Sequence, residues 1–231
     1  MKITKKIVWS LFLFGHLCTA QLLLEKLAVF QESATVFNNM QYSIDGIDGH
    51  QYFLDDWGTG KLIINDSIIN FQARIQFDMV SGEPIIGNTS DKKKGFILRD
   101  KSVTGFVINN TNFIKIPSSM FLKEVKRNYF VTPLLTKSNQ LLISYLKILK
   151  EPYILKNTYS NGNSNRKYIT LKRFYVLNKN NKYIAVKLKK KAILAALSDK
   201  EVALKKYVKT QGLSYKKEND VVALLAYYHS L

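Results

Sequence analysis

From Lys61 to about Leu149 the apolar residues come in short β-branched and aromatic runs separated by turn formers, and this pattern most constrains the fold. The runs are Lys61 to Ile64, Ile68 to Met79, Gly95 to Arg99, Gly105 to Ile108, Phe113 to Ile116, Phe121 to Val131 and Gln140 to Leu149. Within the second, Phe71, Ala73, Ile75 and Phe77 alternate with Gln72, Arg74, Gln76 and Asp78. That period of two sends one set of side chains to a core and the other to water. Asn65-Asp66-Ser67 reads as a hairpin turn. Together these features predict an antiparallel, curved sheet rather than a strand-helix alternation.

The polar stretch 157–165 separates this sheet from a second predicted hairpin, with arms Lys167 to Leu177 and Lys182 to Leu188. These are joined across Asn178-Lys179-Asn180-Asn181, where asparagine tolerates the positive backbone angles of tight turns. After Leu188 the period changes. Ala192 to Leu197 reads as a helix, and Ser198 with Glu201 reads as a capping box opening a second, which carries Leu204, Tyr207 and Val208 and stops near Gly212. A third is predicted from about Lys217, with Val221, Leu224, Leu225 and Tyr228 on one stripe. At the other end, Leu23, Leu27 and Phe30, broadened by Leu24 and Ala34, predict a short N-terminal helix within residues 21–40. The expected fold class is α+β: a body over 21–188 made of that helix and the sheet, and a cap of short helices over 189–231. A chain of 231 residues, 46% apolar, is long enough to bury such a core.

Residues 1–20 have the layout of a secretory signal: Lys2, Lys5 and Lys6, the apolar run Ile7 to Leu17, then Cys18-Thr19-Ala20. The run is shorter than the roughly 20 apolar residues of a membrane-spanning helix, so cleavage after Ala20 is expected in preference to a retained anchor. A lipid-modified Cys18 fits less well, because bulky Leu17 precedes it. Cleavage there leaves a mature chain with no cysteine, stabilised by its core alone. The expected location is the periplasm or cell envelope.

Outside that segment only His50 and His229 are candidates for an imidazole base. His50 lies in a Gly/Asp-rich loop with Asp45, Asp48, Asp55, Asp56 and Trp57, expected to be ordered and pinned by Tyr52, Phe53 and Trp57. This Asp45 to Asp56 loop is the one place where general acid/base or calcium-dependent chemistry could arise. It lacks the alternating ligands and closing glutamate of an EF-hand, so turn formation is the preferred reading of its aspartates. No cysteine-histidine spacing suggests zinc and no glycine-rich phosphate loop opens a helix. The expectation is a non-enzymatic protein with no cofactor. Asp66-Ser67-Ile68 also fits a three-residue O-glycosylation pattern, for which a polar turn is the plainer account.

The segment Tyr42-Ser43-Ile44-Asp45-Gly46 to Trp57, the strand pair after Gly60, Lys187-Leu188-Lys189-Lys190-Lys191 and the ending Tyr227-Tyr228-His229-Ser230-Leu231 together resemble a family of small exported proteins of Bacteroidota-type bacteria. The resemblance covers most of the chain after residue 20. It implies a periplasmic or cell-envelope setting and carries over no catalytic residue.

Charge is the remaining anomaly. The chain holds 35 Lys and Arg against 17 Asp and Glu, a formal +18. Residues 21–120 hold 9 bases and 11 acids, whereas residues 121–231 hold 23 bases and 6 acids. The whole excess therefore belongs to the C-terminal half, and such a field attracts anions in a salt-dependent way. Lys172, Arg173, Lys187, Lys189, Lys190 and Lys191 are the candidate basic patch, with Lys205, Lys206 and Lys209 expected to lie near it. For an exported chain the available partners are an anionic lipid or glycolipid, with peripheral membrane association, or an acidic envelope protein. Nucleic acid is not expected.

Overall fold

In the computed structural model, the described residues are 35–38, 42–65, 67–87, 94–97, 102–123, 129–133, 139–151 and 165–231; for 35–38, 67–73 and 129 only the backbone is described. The expected signal segment, Asp66 of the turn and residues 21–34 lie outside this set. The strands are β1 (Thr35–Asn38), β2 (Ile47–Asp48), β3 (Gly58–Ile64), β4 (Ser67–Asp78), β5 (Glu83–Gly87), β6 (Lys94–Ile97), β7 (Val103–Ile108), β8 (Thr111–Ile116), β9 (Tyr129–Pro133), β10 (Leu141–Lys150), β11 (Arg166–Leu177) and β12 (Tyr183–Val186). Three helices follow: α1 (Lys190–Ala196), α2 (Glu201–Thr210) and α3 (Glu218–Ser230). The α+β class is as expected. Thr35–Asn38, however, is a strand paired with β6 rather than part of an N-terminal helix, because β6 offers it an open edge with Thr35 opposite Ile97.

All strands share one sheet in the order β1-β6-β5-β4-β3-β7-β8-β9-β10-β11-β12, with the short β2 added in parallel to the start of β11. Every other pairing is antiparallel, and apart from β2 the order joins sequential neighbours except at β1 to β6 and at β3 to β7. Asparagine supplies the left-handed residue of the turns, at Asn181 (φ 53°) as expected and also at Asn65 (φ 47°) and Asn109 (φ 51°). Register shifts after Gly60 and at Ile63 bend β3 against both neighbours. The sheet curls far enough that the Lys147 N–H on β10 donates to the Met79 carbonyl just past β4, at 3.2 Å.

Inside the curl lies an aromatic core. Phe106 stacks on Phe113, and Phe77 leans against both and Phe130 against Phe106, with centroids 4.7–5.5 Å apart; Leu62, Ile64, Ile75, Val103 and Ile108 fill around them. At the far end, α1 to α3 bury Ile193, Leu194, Leu204, Val208, Val221, Leu224, Leu225 and Tyr228 against Leu141, Val176 and Val186 of the sheet. Helices of 7 to 13 residues are marginal alone in water, so this shared apolar face is what holds them. Gly212, at φ +64°, ends α2 in the left-handed cap position. The capping box does not form: Ser198 begins a 3-10 turn without a side-chain cap, and Glu201 pairs with Lys205 one turn on. Among the described residues no helix is long and apolar enough to cross a membrane.

Candidate functional site

The 42–57 loop folds across the outer side of β4. Phe53 N–H donates to Phe77 O (2.9 Å) and Met79 N–H to Gln51 O (3.0 Å), so residues 51–53 run beside the end of β4 like a further strand. The polar side chains expected to face water there are therefore buried: Gln76 is 0% exposed and Asp78 8%. Gln76 Oε1 accepts the N–H groups of Leu54 and Phe77, and its Nε2 donates to the carbonyls of Leu54 and Asp56 (both 2.9 Å) and lies 3.3 Å from the Tyr42 hydroxyl. One amide thus satisfies the backbone of the turn above it. Asp78 caps Val80 and Ser81 through Oδ1 and accepts from Gln51 Nε2 through Oδ2.

From β10 comes a second tether. Lys147 Nζ donates to the carbonyls of His50 and Tyr52, both at 2.7 Å, and removal of the ammonium from water lowers its pKa. Phe53 packs edge-on to Phe113 and Tyr145, and the Tyr42, His50 and Tyr52 rings form a cluster with centroids 5.1–5.8 Å apart. Burial also raises the pKa of the Tyr42 phenol. Trp57 lies under the Arg74 guanidinium, and its ring edge occupies the space that side chains at Gly87 and Gly95, a cross-strand pair, would fill. The expected pinning by Tyr52, Phe53 and Trp57 is what the structure shows.

His50 Nδ1 accepts the Tyr52 N–H (3.2 Å), which places the neutral ring's proton on Nε2, bonded to Asp55 Oδ1 at 3.0 Å. Both nitrogens are engaged, and the Asp55 carboxylate is fully exposed. Asp48 Oδ1 accepts from Asn165 Nδ2, Asp56 Oδ1 accepts from the Trp57 N–H, and Asp45 is exposed. The carboxylates are dispersed along turns, and among the described residues no three His, Cys, Asp or Glu side chains converge to hold a metal ion. His229, for its part, lies against the Leu177 carbonyl (3.1 Å), and burial lowers its pKa.

The six basic candidates separate into three groups. Along β11 successive side chains alternate faces. Lys172 points to the face that carries Phe174 and Val176, where it meets Glu218 of α3 (3.7 Å) and lies over Tyr145. Arg173 points to the opposite face, and Lys187, one residue past β12, takes the register position beside it. Lys189, Lys190 and Lys191 form the exposed start of α1, with no acid in its first turn and no ion pair among the described residues.

No family model, curated protein or solved structure matches this chain. Geometry and charge therefore carry the reading of the site. Sequence reasoning missed Gln76 and Lys147, whose roles depend on the curl that brings β4, β10 and the loop together; a glutamine or lysine on a strand's polar side carries no signal of that. It missed equally the face of the β10–β11 hairpin on which Ile148 and Leu171 are exposed.

Proposed function

We propose that this is a non-enzymatic, exported cell-envelope protein that attaches peripherally to an anionic component through its basic C-terminal half. The observation that carries the reading is the charge of residues 187–217: ten lysines stand against Asp199 and Glu201 alone, and Lys205 alone of the ten is held in an ion pair among the described residues. Lys189, Lys190 and Lys191 sit where the α1 dipole is positive, an arrangement that disfavours the helix by a few tenths of a kcal/mol per charge. A cluster that works against its own helix is better explained by a ligand than by stability. Export supports the choice of partner, since it places the chain among lipid and glycolipid headgroups and acidic envelope proteins; the N-terminal pattern and the family resemblance both favour it.

Reversing Lys189, Lys190 and Lys191 together to Glu tests this. The triple variant is expected to elute from heparin at lower salt and to bind phosphatidylglycerol vesicles more weakly, with melting temperature held or raised because the dipole is then matched. Unchanged retention on both probes would remove the basis for a basic binding surface. Retention restored by an acidic envelope protein but absent on vesicles would assign the partner as protein.

A further inference from the structure

The two faces of the β10–β11 hairpin are unequal. One, carrying Leu141, Ile143, Tyr145 and Lys147 and, across the ladder, Val176 and Phe174, is covered by the helices at one end and by the 42–57 loop at the other, with Lys172 and Thr170 of β11 left exposed. The other begins at Leu142 and Tyr175 under Phe121 and Tyr183, stays closed on β10 at Ser144, and opens to solvent beyond it. Beyond that cover, Leu146 pairs with Leu171 and Ile148 with Ile169. Ile148 is 48% and Leu171 40% exposed, and Leu146 and Ile169 are half-buried. Four aliphatic side chains thus form one contiguous patch on the sheet.

Cations frame that patch at both ends. Lys150 and Lys167 are direct cross-strand partners on the same face, and Arg173 with Lys187 stands at the other end. Like charges opposite one another weaken a ladder rather than strengthen it. The β10 and β11 residues of this face include no acid; Asp48, beside Lys167 through the β2 pairing, lowers the local charge by one. An apolar centre with a basic rim matches a surface that is anionic outside and hydrocarbon just beneath.

We infer that this face of the β10–β11 hairpin is the membrane-contacting surface, with Leu146, Ile148, Ile169 and Leu171 entering the headgroup boundary of an anionic bilayer and Lys150, Lys167, Arg173 and Lys187 contacting its phosphates. The inference rests on the anionic-surface reading and specifies it: the partner is a lipid surface, and contact is apolar as well as electrostatic. The aliphatic side chains add affinity for a bilayer that a soluble polyanion cannot use.

The double variant Ile148→Gln with Leu171→Gln, measured on 30% phosphatidylglycerol vesicles and on heparin, tests this. Vesicle affinity should fall about tenfold, heparin elution should stay unchanged, and melting temperature should hold because both side chains are exposed. Lys150→Gln with Lys167→Gln should weaken both. Vesicle affinity indifferent to the aliphatic substitutions, in a wild-type protein that binds both probes, overturns this inference alone. A fall in melting temperature with vesicle binding intact also overturns it, by showing that the chain itself covers the patch. Wild-type protein that binds neither probe overturns the anionic-surface reading and this one with it.

Discussion

Gln76 carries a disproportionate share of the order around the loop. It is completely buried, and its amide is matched on both sides, with two N–H groups facing Oε1 and two carbonyls facing Nε2. Gln76→Ala leaves those carbonyls and the Leu54 N–H without partners under the loop, and an unsatisfied buried group costs about 1–3 kcal/mol. Destabilisation of about 2–4 kcal/mol in urea unfolding is expected. Gln76→Glu should be worse at pH 7, since a carboxylate cannot donate to Leu54 O and Asp56 O, and should recover part of the loss as acid protonates it. If both variants unfold like the wild type, the loop is not held by this residue. Nothing in the alternation of β4 distinguishes Gln76 from Gln72 or Arg74, and only the fold of the preceding loop does so.

Strands with clear alternation or β-branched runs, such as β4, β10 and β11, were legible in the sequence, as were the helical stripes of α2 and α3, because a period of 2 or 3.6 is a local property. Elements defined by their neighbours were not. β5 has only Ile85 and Ile86 between Gly82-Glu83-Pro84 and Gly87, which reads as a turn until β4 and β6 flank it. β1 follows the helical spacing that ends at Ala34 and has no alternation of its own, and Ser198 serves a 3-10 turn in place of the cap its spacing with Glu201 suggests. Tyr228 shows how the helical elements are joined to the sheet. Its hydroxyl donates to Asp199 Oδ1 (2.9 Å) and accepts the Lys179 N–H (3.1 Å), tying α3 to the 3-10 turn and to the β11–β12 hairpin turn. Burial, opposed by the Lys179 bond and assisted by Asp199, pushes its pKa up to about 12. An acid whose folded pKa exceeds its unfolded value stabilises fully below the unfolded value near 10 and loses that contribution as pH rises toward 12. The stability advantage of wild type over Tyr228→Phe should therefore be constant to about pH 9.5 and then shrink, by at most about 1.4 kcal/mol per pH unit. Urea titrations across pH 8 to 11.5 measure this, and a gap that does not narrow would mean the phenol is not held neutral by the fold.

At the scale of the molecule the decisive quantity is the uneven charge. With +18 overall and +17 of it in residues 121–231, the fold brings many like charges together around the hairpin and the helical cap, and the native state carries that self-repulsion. Salt shortens the range of each charge to about 8 Å at 0.15 M and about 3 Å at 1 M. Two consequences follow with opposite signs. Screening relieves repulsion within the native protein, so melting temperature should rise between 20 mM and 500 mM sodium chloride. The same screening weakens attraction to a negative surface, so binding to phosphatidylglycerol vesicles should fall over that range. If the lysines were only a solvated face made of scattered pairs, stability would be flat or would decline with salt, as ion pairs are lost. Measuring both curves on one preparation separates the cases: antiparallel trends mark a concentrated, unneutralised field, while two falling curves would mean that the cap is held together by its own charges and has none to spare for a ligand.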